Sequence, residues 1–396
     1  MKIVTILGKS NTNVKYQYDE QLQNKFQLKK SDYNNMLTLL IDNFDHEIIP
    51  IFTPEAKKVQ IDVLKKEFGS DYSSIFNEKY LIEDDKNYYD ILSLINDAIA
   101  ENDEYIIDLT HGFRHIPILA TISLITHNIN NSSNIKHIFF AKEIKPRKEY
   151  EIIDLKEYLE LANMSYMLAS FANNYTVSKI ADFADQSFAD LKDNLEKLSN
   201  HLLSNSLKNI SELLEETLRY INEILQNKKV LIFKHSLESI EKHVKELQAL
   251  SKIEQTSKRL FEFSKLLYER GYLLNAITLL FEAIGCYCME SLIEIDTVVR
   301  EYIKGFGRHY DQVQKCRSII AKFPKSGKEG VQEKINNFLQ GKNIESFQKF
   351  IEEAKNLRNN LAHGNHEEGI KDVKEKFFKL TNEYKKFCVD NDILAK

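Results

Sequence analysis

The stretch Tyr105-Ile106-Ile107-Asp108-Leu109-Thr110-His111-Gly112 decides how the N-terminal part of the chain is interpreted. Its apolar run has no polar alternation and ends in a threonine, a histidine and a glycine. A mostly apolar helix is expected to follow over residues 116–127. Apolar strands that alternate with helices are typical of a parallel sheet covered on both faces. We therefore predict an α/β domain in which this stretch is a strand with a loop at its carboxyl end.

The flanking sequence repeats the same alternation of strand and helix. Further strands are expected at residues 3–7, 47–52, 135–141 and 150–155, and helices at residues 32–44, 61–68 and 89–99. Ligands of such sheets bind outside the carboxyl ends of the strands. Here that edge would be formed by Gly8–Ser10, Thr53–Pro54, Asp108–Arg114 and Lys142–Arg147.

Beyond about residue 155 the strand signal almost disappears, and long helical patterns with few breakers take its place. We predict three parts: a Rossmann-like α/β domain over 1–155, a helical connector over 156–250 and a helical domain over 251–396. The fold class is therefore α/β followed by all-α.

Composition limits the class of protein and its partners. The net charge is −5 over 396 residues, so a protein that coats duplex DNA is not expected, and any contact with RNA should be local. The four cysteines form no C-x-x-C pair, which favours reduced thiols over a metal site. We see no signal peptide and no apolar stretch of the ~20 residues that a membrane span needs. A cytoplasmic protein without membrane contact or bound metal is expected.

The second informative stretch is Leu357-Arg358-Asn359-Asn360-Leu361-Ala362-His363-Gly364. It ends a predicted helix whose apolar face is formed by Phe347, Phe350, Ile351, Ala354, Leu357 and Leu361. Gly364 suits the end of a helix, so His363 should lie where its ring can leave the helical surface.

Arg358, Asn359 and His363 are the residue types that cleave RNA without a metal. Histidine, with an ordinary pKa near ~6.5, can remove the proton of the 2′-hydroxyl or protonate the 5′-oxygen. Arginine offers a planar set of donors to the phosphate oxygens. Asn359 can hold the phosphate or orient the histidine. The alternative is a solvated helix end without a function.

Geometry limits how Arg358 and His363 can cooperate. On an ideal helix they lie about 140° apart around the axis and ~7.5 Å apart along it, so they do not share a face. A distorted helix end or a second subunit is needed. Since one chain supplies only one such histidine, we predict that two copies build one site across a two-fold axis.

The loop after the predicted strand at Tyr105 has the features of an anion site. Thr110 can donate to a phosphate, Gly112 allows close approach of the backbone, and Arg114 can pair with phosphate. The alternative is an ordinary strand-to-helix turn in which Asp108 caps and His111 is structural.

Together, Asp-x-Thr-His-Gly after a strand and Arg-Asn-x-x-x-His in a C-terminal helical domain resemble the type III CRISPR ancillary ribonucleases of the DxTHG family. These join a CARF domain, a sensor of cyclic oligoadenylate, to a HEPN ribonuclease domain. The resemblance implies a homodimer, or a higher oligomer, that cleaves single-stranded RNA without a cofactor. It also implies an activator, cyclic tetra- or hexa-adenylate, across the CARF dimer axis.

By position, the resemblance assigns catalysis to Arg358, Asn359 and His363. The sensor motif comprises Asp108, Thr110, His111 and Gly112. Gly8, Lys9, Ser10 and Thr53 join the activator site only because they follow strands, and Arg114 only because it follows the motif. Two alternatives stay open: a non-catalytic ligand-sensing regulator, and a sensor domain that also opens its cyclic ligand through Thr110 or His111.

Overall fold

The computed structural model describes residues 1–83, 87–99, 103–112, 115–131, 134–177, 183, 185–226, 233–322, 329–364 and 369–395, without the side chains of 127–131 and 329. The chain divides into two compact units. Unit 1 consists of Met1–Leu168 and Ser178–Ala189, and unit 2 of Ala169–Val177 and Asp190–Lys396. Residues 190–250 thus belong to the same unit as 251–396, while the division into sensor, connector and nuclease stays a prediction.

Unit 1 contains a mixed sheet. Its strands are β1 (Lys2–Ile6), β2 (Val14–Tyr18), β3 (Asp32–Tyr33), β4 (Glu47–Ile51), β5 (Tyr105–Asp108), β6 (Ile135–Lys145) and β7 (Glu149–Asp154). They lie in the order β3-β2-β7-β6-β5-β1-β4. β4, β1, β5 and β6 are parallel neighbours, with Val4 opposite both Ile49 and Ile107. The carboxyl ends of these four strands therefore point to one edge, as predicted.

The prediction of a wholly parallel sheet is wrong, because β7 and β2 run in the opposite direction to the other strands. β7 runs antiparallel to β6, β2 runs parallel to β7, and β3 runs antiparallel to β2. The link from Lys145 to Glu149 is a tight turn in which the Lys148 N–H donates to the Lys145 carbonyl at 2.9 Å. A parallel neighbour needs a crossover of about a dozen residues or more, so this turn forces β7 to reverse.

The first four helices of unit 1 begin after a side chain that caps them, namely Asp19, Asn35, Thr53 and Asn87. The helices of this unit are α1 (Glu20–Gln23), α2 (Met36–Asn43), α3 (Pro54–Phe68), α4 (Tyr88–Ala98), α5 (His115–Asn131) and the first part of α6 (Lys156–Asn174). α2 begins later than predicted because Asn35 caps it, and α3 begins earlier because Thr53 is its N-cap and Pro54 its first residue.

The sheet buries apolar side chains on both faces, as predicted. Val4, Ile107 and their neighbours pack with α4 and α5, whereas Ile3 and Ile106 face a second cluster that includes residues of α2. The alternation of buried residues within one strand arises because successive side chains point to opposite faces.

Unit 2 is helical. Its helices are α7 (Gln186–Leu203, from residue 190), α8 (Ile210–Leu225), α9 (Lys234–Ser251), α10 (Thr256–Glu269), α11 (Leu273–Ile293), α12 (Thr297–Lys304), α13 (His309–Lys322), α14 (Glu329–Leu339), α15 (Ile344–Ala362) and α16 (Ile370–Tyr384), and a π-helical turn follows over Lys385–Asp390. The core is built around α11, which packs against α10, α13, α15 and α16.

α11 corrects one expectation about membrane spans. By length and composition it is the one helix among the described residues that could cross a membrane, but 72% of its apolar window is buried inside the protein. It is a core helix of unit 2, and Cys286 and Cys288 are buried in that core. All four cysteines are buried and unpaired, and burial raises the pKa of Cys286 to about 12.

Candidate functional site

The predicted catalytic residues lie at the end of α15. The expected apolar face is buried from Phe347 to Leu357, whereas Leu361 is half-exposed. The helix ends at Ala362, His363 is its C-cap, and the His363 N–H donates to the Asn359 carbonyl at 3.0 Å. Gly364 follows with φ 104°, a conformation that glycine adopts without strain. The chain therefore leaves the helix just after the exposed His363 side chain.

Arg358 and Asn359 form a pair. Nη1 of Arg358 donates to Oδ1 of Asn359 at 3.1 Å, and both side chains are half-buried. This contact holds the guanidinium in place and turns the amide nitrogen of Asn359 away from it. Both residues line a cleft of about 300 Å3, with Phe281 of α11 also in its wall, here called the α13–α15 cleft.

His363 bonds to Asn359 through its backbone but does not share the α13–α15 cleft. Among the described residues that line the α13–α15 cleft, Arg358 and Asn359 are present and His363 is not. The structure of one chain thus brings together two of the three predicted catalytic side chains. The separation agrees with the wide angle that an ideal helix places between Arg358 and His363.

Asn360, the next residue of the motif, faces a different surface. It lines a second cleft of about 550 Å3 between α15 and α16, together with Glu353, Lys376 and Lys379. Nζ of Lys379 lies 2.8 Å from Oε2 of Glu353 there. The Arg-Asn-Asn run is therefore divided between two faces of α15.

Sequence reasoning missed three cations of the α13–α15 cleft: Arg317, Lys322 and Lys355. Arg317 and Lys322 come from α13, and Lys355 lies one turn before Arg358 on α15. With Gln314 and Ser318 they add basic and polar groups to a wall that also contains Phe281, Ala321 and Ile351. The spacing of Lys355 and Arg358 on one helix could have indicated that both face the same cleft. The sequence carries no signal that α13 packs beside them.

Arg317 is held firmly. Only 6% of it is exposed, its guanidinium lies 3.6 Å from the centre of the Phe281 ring, and Nη1 donates to the Phe281 carbonyl at 2.9 Å. Burial lowers the pKa of Arg317, and Glu282, 3.7 Å away, opposes that effect. Gly285 makes this packing possible, because a Cβ there would lie 2.7 Å from Nη1 of Arg317.

In unit 1, Asp108 stands at the end of β5 and is fully buried. Its carboxylate accepts from the Thr5 hydroxyl at 2.7 Å and from the Thr110 N–H at 3.0 Å. Burial raises the pKa of Asp108, while the nearby His111 acts in the opposite direction. The Thr110 hydroxyl accepts from the Ala141 N–H at 3.0 Å, so Asp108 and Thr110 link β1, β5 and β6.

His111 and Gly112 complete the turn. Nε2 of His111 faces the Met36 N–H at 3.4 Å, and burial lowers the pKa of His111, which favours the neutral ring that can accept. Gly112 has φ 112°, and a Cβ there would lie 2.7 Å from Cγ2 of Ile6. His111 therefore makes a structural contact, which is the role it has in the alternative of an ordinary strand-to-helix turn.

The loop after β1 meets the same edge. Nε2 of Gln60 donates to the Gly8 carbonyl at 2.8 Å, and Nδ2 of Asn35 donates to the Ser10 carbonyl at 3.0 Å. A Cβ at Gly8 would lie 3.3 Å from Cβ of His111. Gly8, Ser10, His111 and Gly112 therefore lie together, and Asn35 and Gln60 are buried polar supports that the sequence analysis missed.

Three further predicted residues have different fates. Thr53 is buried, and its hydroxyl accepts from the Ala56 N–H at 3.2 Å as the N-cap of α3. Lys9 is exposed, with Nζ 3.9 Å from Oε2 of Glu55. Arg114 lies outside the described residues. Lys142 and Arg147 are exposed beyond the end of β5, on β6 and the turn that follows it.

No family model matches the chain. It is similar to the CRISPR-associated protein MJ1674 of Methanocaldococcus jannaschii (strain ATCC 43067 / DSM 2661 / JAL-1 / JCM 10045 / NBRC 100440), with 25% identity over 315 residues. The match covers 71% of this chain and 49% of that protein, so the chain spans about half the length of this relative. The matched part is longer than either compact unit, and the similarity therefore extends into both units.

Proposed function

We propose that the chain is a metal-independent endoribonuclease of CRISPR defence that cleaves single-stranded RNA with Arg358, Asn359 and His363. The observation that carries this proposal is the Arg358–Asn359 pair on the wall of a basic cleft, with an exposed histidine at the end of the same helix. The similarity to a CRISPR-associated protein supports the biological setting. A cytoplasmic location is part of this proposal.

The three residues would divide the chemistry of a transesterification. The RNA 2′-oxygen attacks the adjacent phosphorus, its proton passes to a base, and the bond from phosphorus to the 5′-oxygen breaks. The products are a 2′,3′-cyclic phosphate and a 5′-hydroxyl that has taken up a proton. His363 serves one of the two proton transfers. Arg358 stabilises the charge on the phosphate oxygens, and Asn359 holds both the guanidinium and the phosphate.

We propose that the active enzyme is a homodimer. His363 does not line the cleft that holds Arg358 and Asn359, which supports a site completed by a second chain. Two chains related by a two-fold axis would supply two histidines and two arginines to one composite site.

The edge formed by Gly8–Ser10 and His111–Gly112 is the proposed site of cyclic tetra- or hexa-adenylate. The helices α2 and α3 begin next to this edge, and helix N-termini favour anions such as phosphates. Because the side chains of Asp108, Thr110 and His111 already bond within the protein, we assign them to shaping the edge. Contacts to the ligand would then come from the backbone of the two glycine loops and from Lys9.

Opening of the cyclic ligand by Thr110 or His111 is not favoured by their contacts. The Thr110 hydroxyl accepts from Ala141, and the His111 ring accepts from Met36. A catalyst at this edge would first have to release one of these bonds. For the other alternative, a ligand-sensing regulator without catalysis, the described residues give no observation that favours it over the nuclease.

The test is cleavage of an RNA that carries a fluorophore and a quencher, in EDTA, with and without cyclic tetra- or hexa-adenylate. Wild type should cleave, and one ring should stimulate it. His363→Ala should lose about 10²–10⁴-fold in rate, the usual contribution of a general acid or base. His235→Ala is the matched control, because the His235 side chain is 99% exposed on α9, outside the proposed site.

Two results would contradict the proposal. A folded wild-type chain that leaves RNA intact with either ring would favour the non-catalytic sensor. Loss of cleavage on addition of EDTA would remove the metal-independent mechanism, whatever the effect of His363→Ala.

A further inference from the structure

We propose that the α13–α15 cleft is a subsite that binds a phosphate of the RNA next to the scissile one. Lys322 and Lys355 would be positioning residues that contact this phosphate, and Arg317 would be the fixed charge behind them. The inference rests on the proposed ribonuclease function and assigns part of the substrate contact to residues outside the Arg-Asn-x-x-x-His motif.

The charge of the cleft is the first argument. Arg317, Lys322, Lys355 and Arg358 line it, whereas Glu352 is the single carboxylate among its described lining residues. Glu352 lies 3.3 Å from Nζ of Lys355, and Glu282 behind the cleft lies 3.7 Å from Arg317. The wall keeps a positive excess in a chain whose net charge is −5. Such a local excess attracts a polyanion.

The rigidity of the wall is the second argument. Arg317 is packed on Phe281 and bonded to its carbonyl, so its charge is held at one position. Nε2 of Gln348 on α15 donates to the Ile320 carbonyl on α13 at 2.7 Å, which ties the two helices together beside the cleft. The fixed charge of Arg317 therefore adds to the attraction of the cleft for a phosphate without having to be ordered on binding.

Position and size indicate a backbone unit of RNA. Arg358 and Asn359 lie on the wall of the same cleft, so a strand with its scissile phosphate at Arg358 continues along Lys355 towards Lys322. The volume of about 300 Å3 is at the lower end of the range for ligand pockets. It suits one phosphate and its sugar, and the bases would remain outside.

The test compares two double variants of the full chain with equal changes of charge. Lys322→Gln/Lys355→Gln removes the two flexible cations of the cleft. Lys315→Gln/Lys349→Gln is the control, because these lysines are exposed on the same two helices and do not line the cleft. Binding is measured by fluorescence anisotropy with a fully 2′-O-methylated RNA octamer, which lacks the attacking hydroxyl. Cleavage is measured with the unmodified RNA at rising concentrations.

We expect the cleft variant to bind the octamer about tenfold more weakly and to show a slope of log K against log salt that is shallower by about 0.7, the value for one neutralised phosphate of a single strand. Its KM should rise about tenfold while kcat stays within about twofold, because the lysines bind substrate and transition state alike. The control variant should match wild type in all four quantities.

An unchanged salt slope and unchanged KM in the cleft variant would overturn the subsite while leaving the ribonuclease intact. A fall in kcat alone would also overturn it, because it would place the lysines in the chemical step. If wild type binds the octamer through the cleft but cleaves no RNA, the subsite stands and the proposed activity fails.

Discussion

Gly112 shows how the motif at the end of β5 is constrained at the scale of one residue. Its φ of 112° lies in a region that side chains avoid, and a Cβ would meet the buried Ile6 side chain at 2.7 Å. Gly69, at the end of α3, also has a positive φ, 66°, but a Cβ there would meet no atom within 4 Å. Substitutions at Gly112 and Gly69 can therefore distinguish the cost of backbone strain alone from the added cost of a steric clash.

Gly112→Ala should therefore destabilise unit 1 more than Gly69→Ala. We expect a loss of about 1–3 kcal/mol in the free energy of unfolding for Gly112→Ala, from strain and displacement of Ile6. Gly69→Ala should lose about 1 kcal/mol, because alanine must adopt the left-handed conformation there. Urea denaturation of both variants, with hydrogen exchange of the β1 and β5 amides, measures the difference. Equal losses in the free energy of unfolding would show that the Ile6 side chain moves away from the new Cβ at no cost.

The role of a single residue could be predicted from sequence only where that role depends on neighbours in the chain. The end of a helix at His363 is a local property of the chain and was predicted. Gly112 was predicted to allow close approach of the backbone to a ligand, whereas the structure shows a positive φ and a close contact with Ile6, which is distant in sequence. The roles of Asp108 and Thr110 depend on Thr5 and Ala141, far away in sequence. Arg317 was missed for the same reason, since its partner Phe281 belongs to another helix.

At the scale of elements, the segment Ala169–Val177 is bound into unit 2 by a buried polar group. Tyr175 is fully buried with φ 51°, and its hydroxyl lies 2.7 Å from Nε2 of His243 on α9. Arg270 lies over the Tyr175 ring, 4.3 Å from its centre, and donates to the Ala172 carbonyl. Because Tyr175 and Arg270 both direct donors at Nε2 of His243, the neutral ring with its proton on Nδ1 fits the site.

This group should make unit 2 less stable in acid. Burial, and then the charge of Arg270, lowers the pKa of His243. In the unfolded chain the ring titrates near its ordinary pKa of ~6.5. The contribution of His243 is therefore fully present above that pH and is lost as the pH falls below it, because the unfolded state takes up the proton more readily.

His243→Gln keeps an acceptor for Tyr175 but does not titrate. Between about pH 7.5 and about pH 5.5, its loss in Tm should be smaller than that of wild type by about 2–4 °C, the shift that corresponds to 1 kcal/mol in a domain of this size. His235→Gln, an exposed change on the same helix, should behave as wild type. An acid loss that is identical in all three proteins would contradict the role of His243.

The same scale shows where element prediction succeeded. β1, β4 and β5 are apolar runs buried on both faces, and their pattern needs no knowledge of partners. β2 was missed although Val14, Tyr16 and Tyr18 alternate with exposed Lys15 and Gln17, because polar residues surround it. The reversal at β7 was also readable, since the gap before it is too short for a crossover. The pairing of β2 with β7 joins distant parts of the chain and carries no local signal.

At the scale of the whole molecule, we propose that two chains complete the site. His363 does not line the cleft that holds Arg358 and Asn359, and a two-fold axis is the simplest operation that brings a second set of these groups to one phosphate. If both histidines act in one composite site, one for each proton transfer, a dimer with one altered chain is inactive. If each chain works alone, that dimer keeps half of the activity.

Co-expression of wild type and His363→Ala with two different affinity tags, followed by sequential purification, isolates that mixed dimer. We expect its cleavage rate to fall to below about a tenth of the wild-type dimer, since the missing histidine removes one of the two proton transfers, each worth about 10²–10⁴-fold. A dimer of wild type with Lys315→Gln/Lys349→Gln, prepared in the same way, should retain full activity. A mixed dimer with half the wild-type rate would place a complete site in each chain. Failure to recover any doubly tagged protein, with both chains expressed and folded, would exclude the dimer itself.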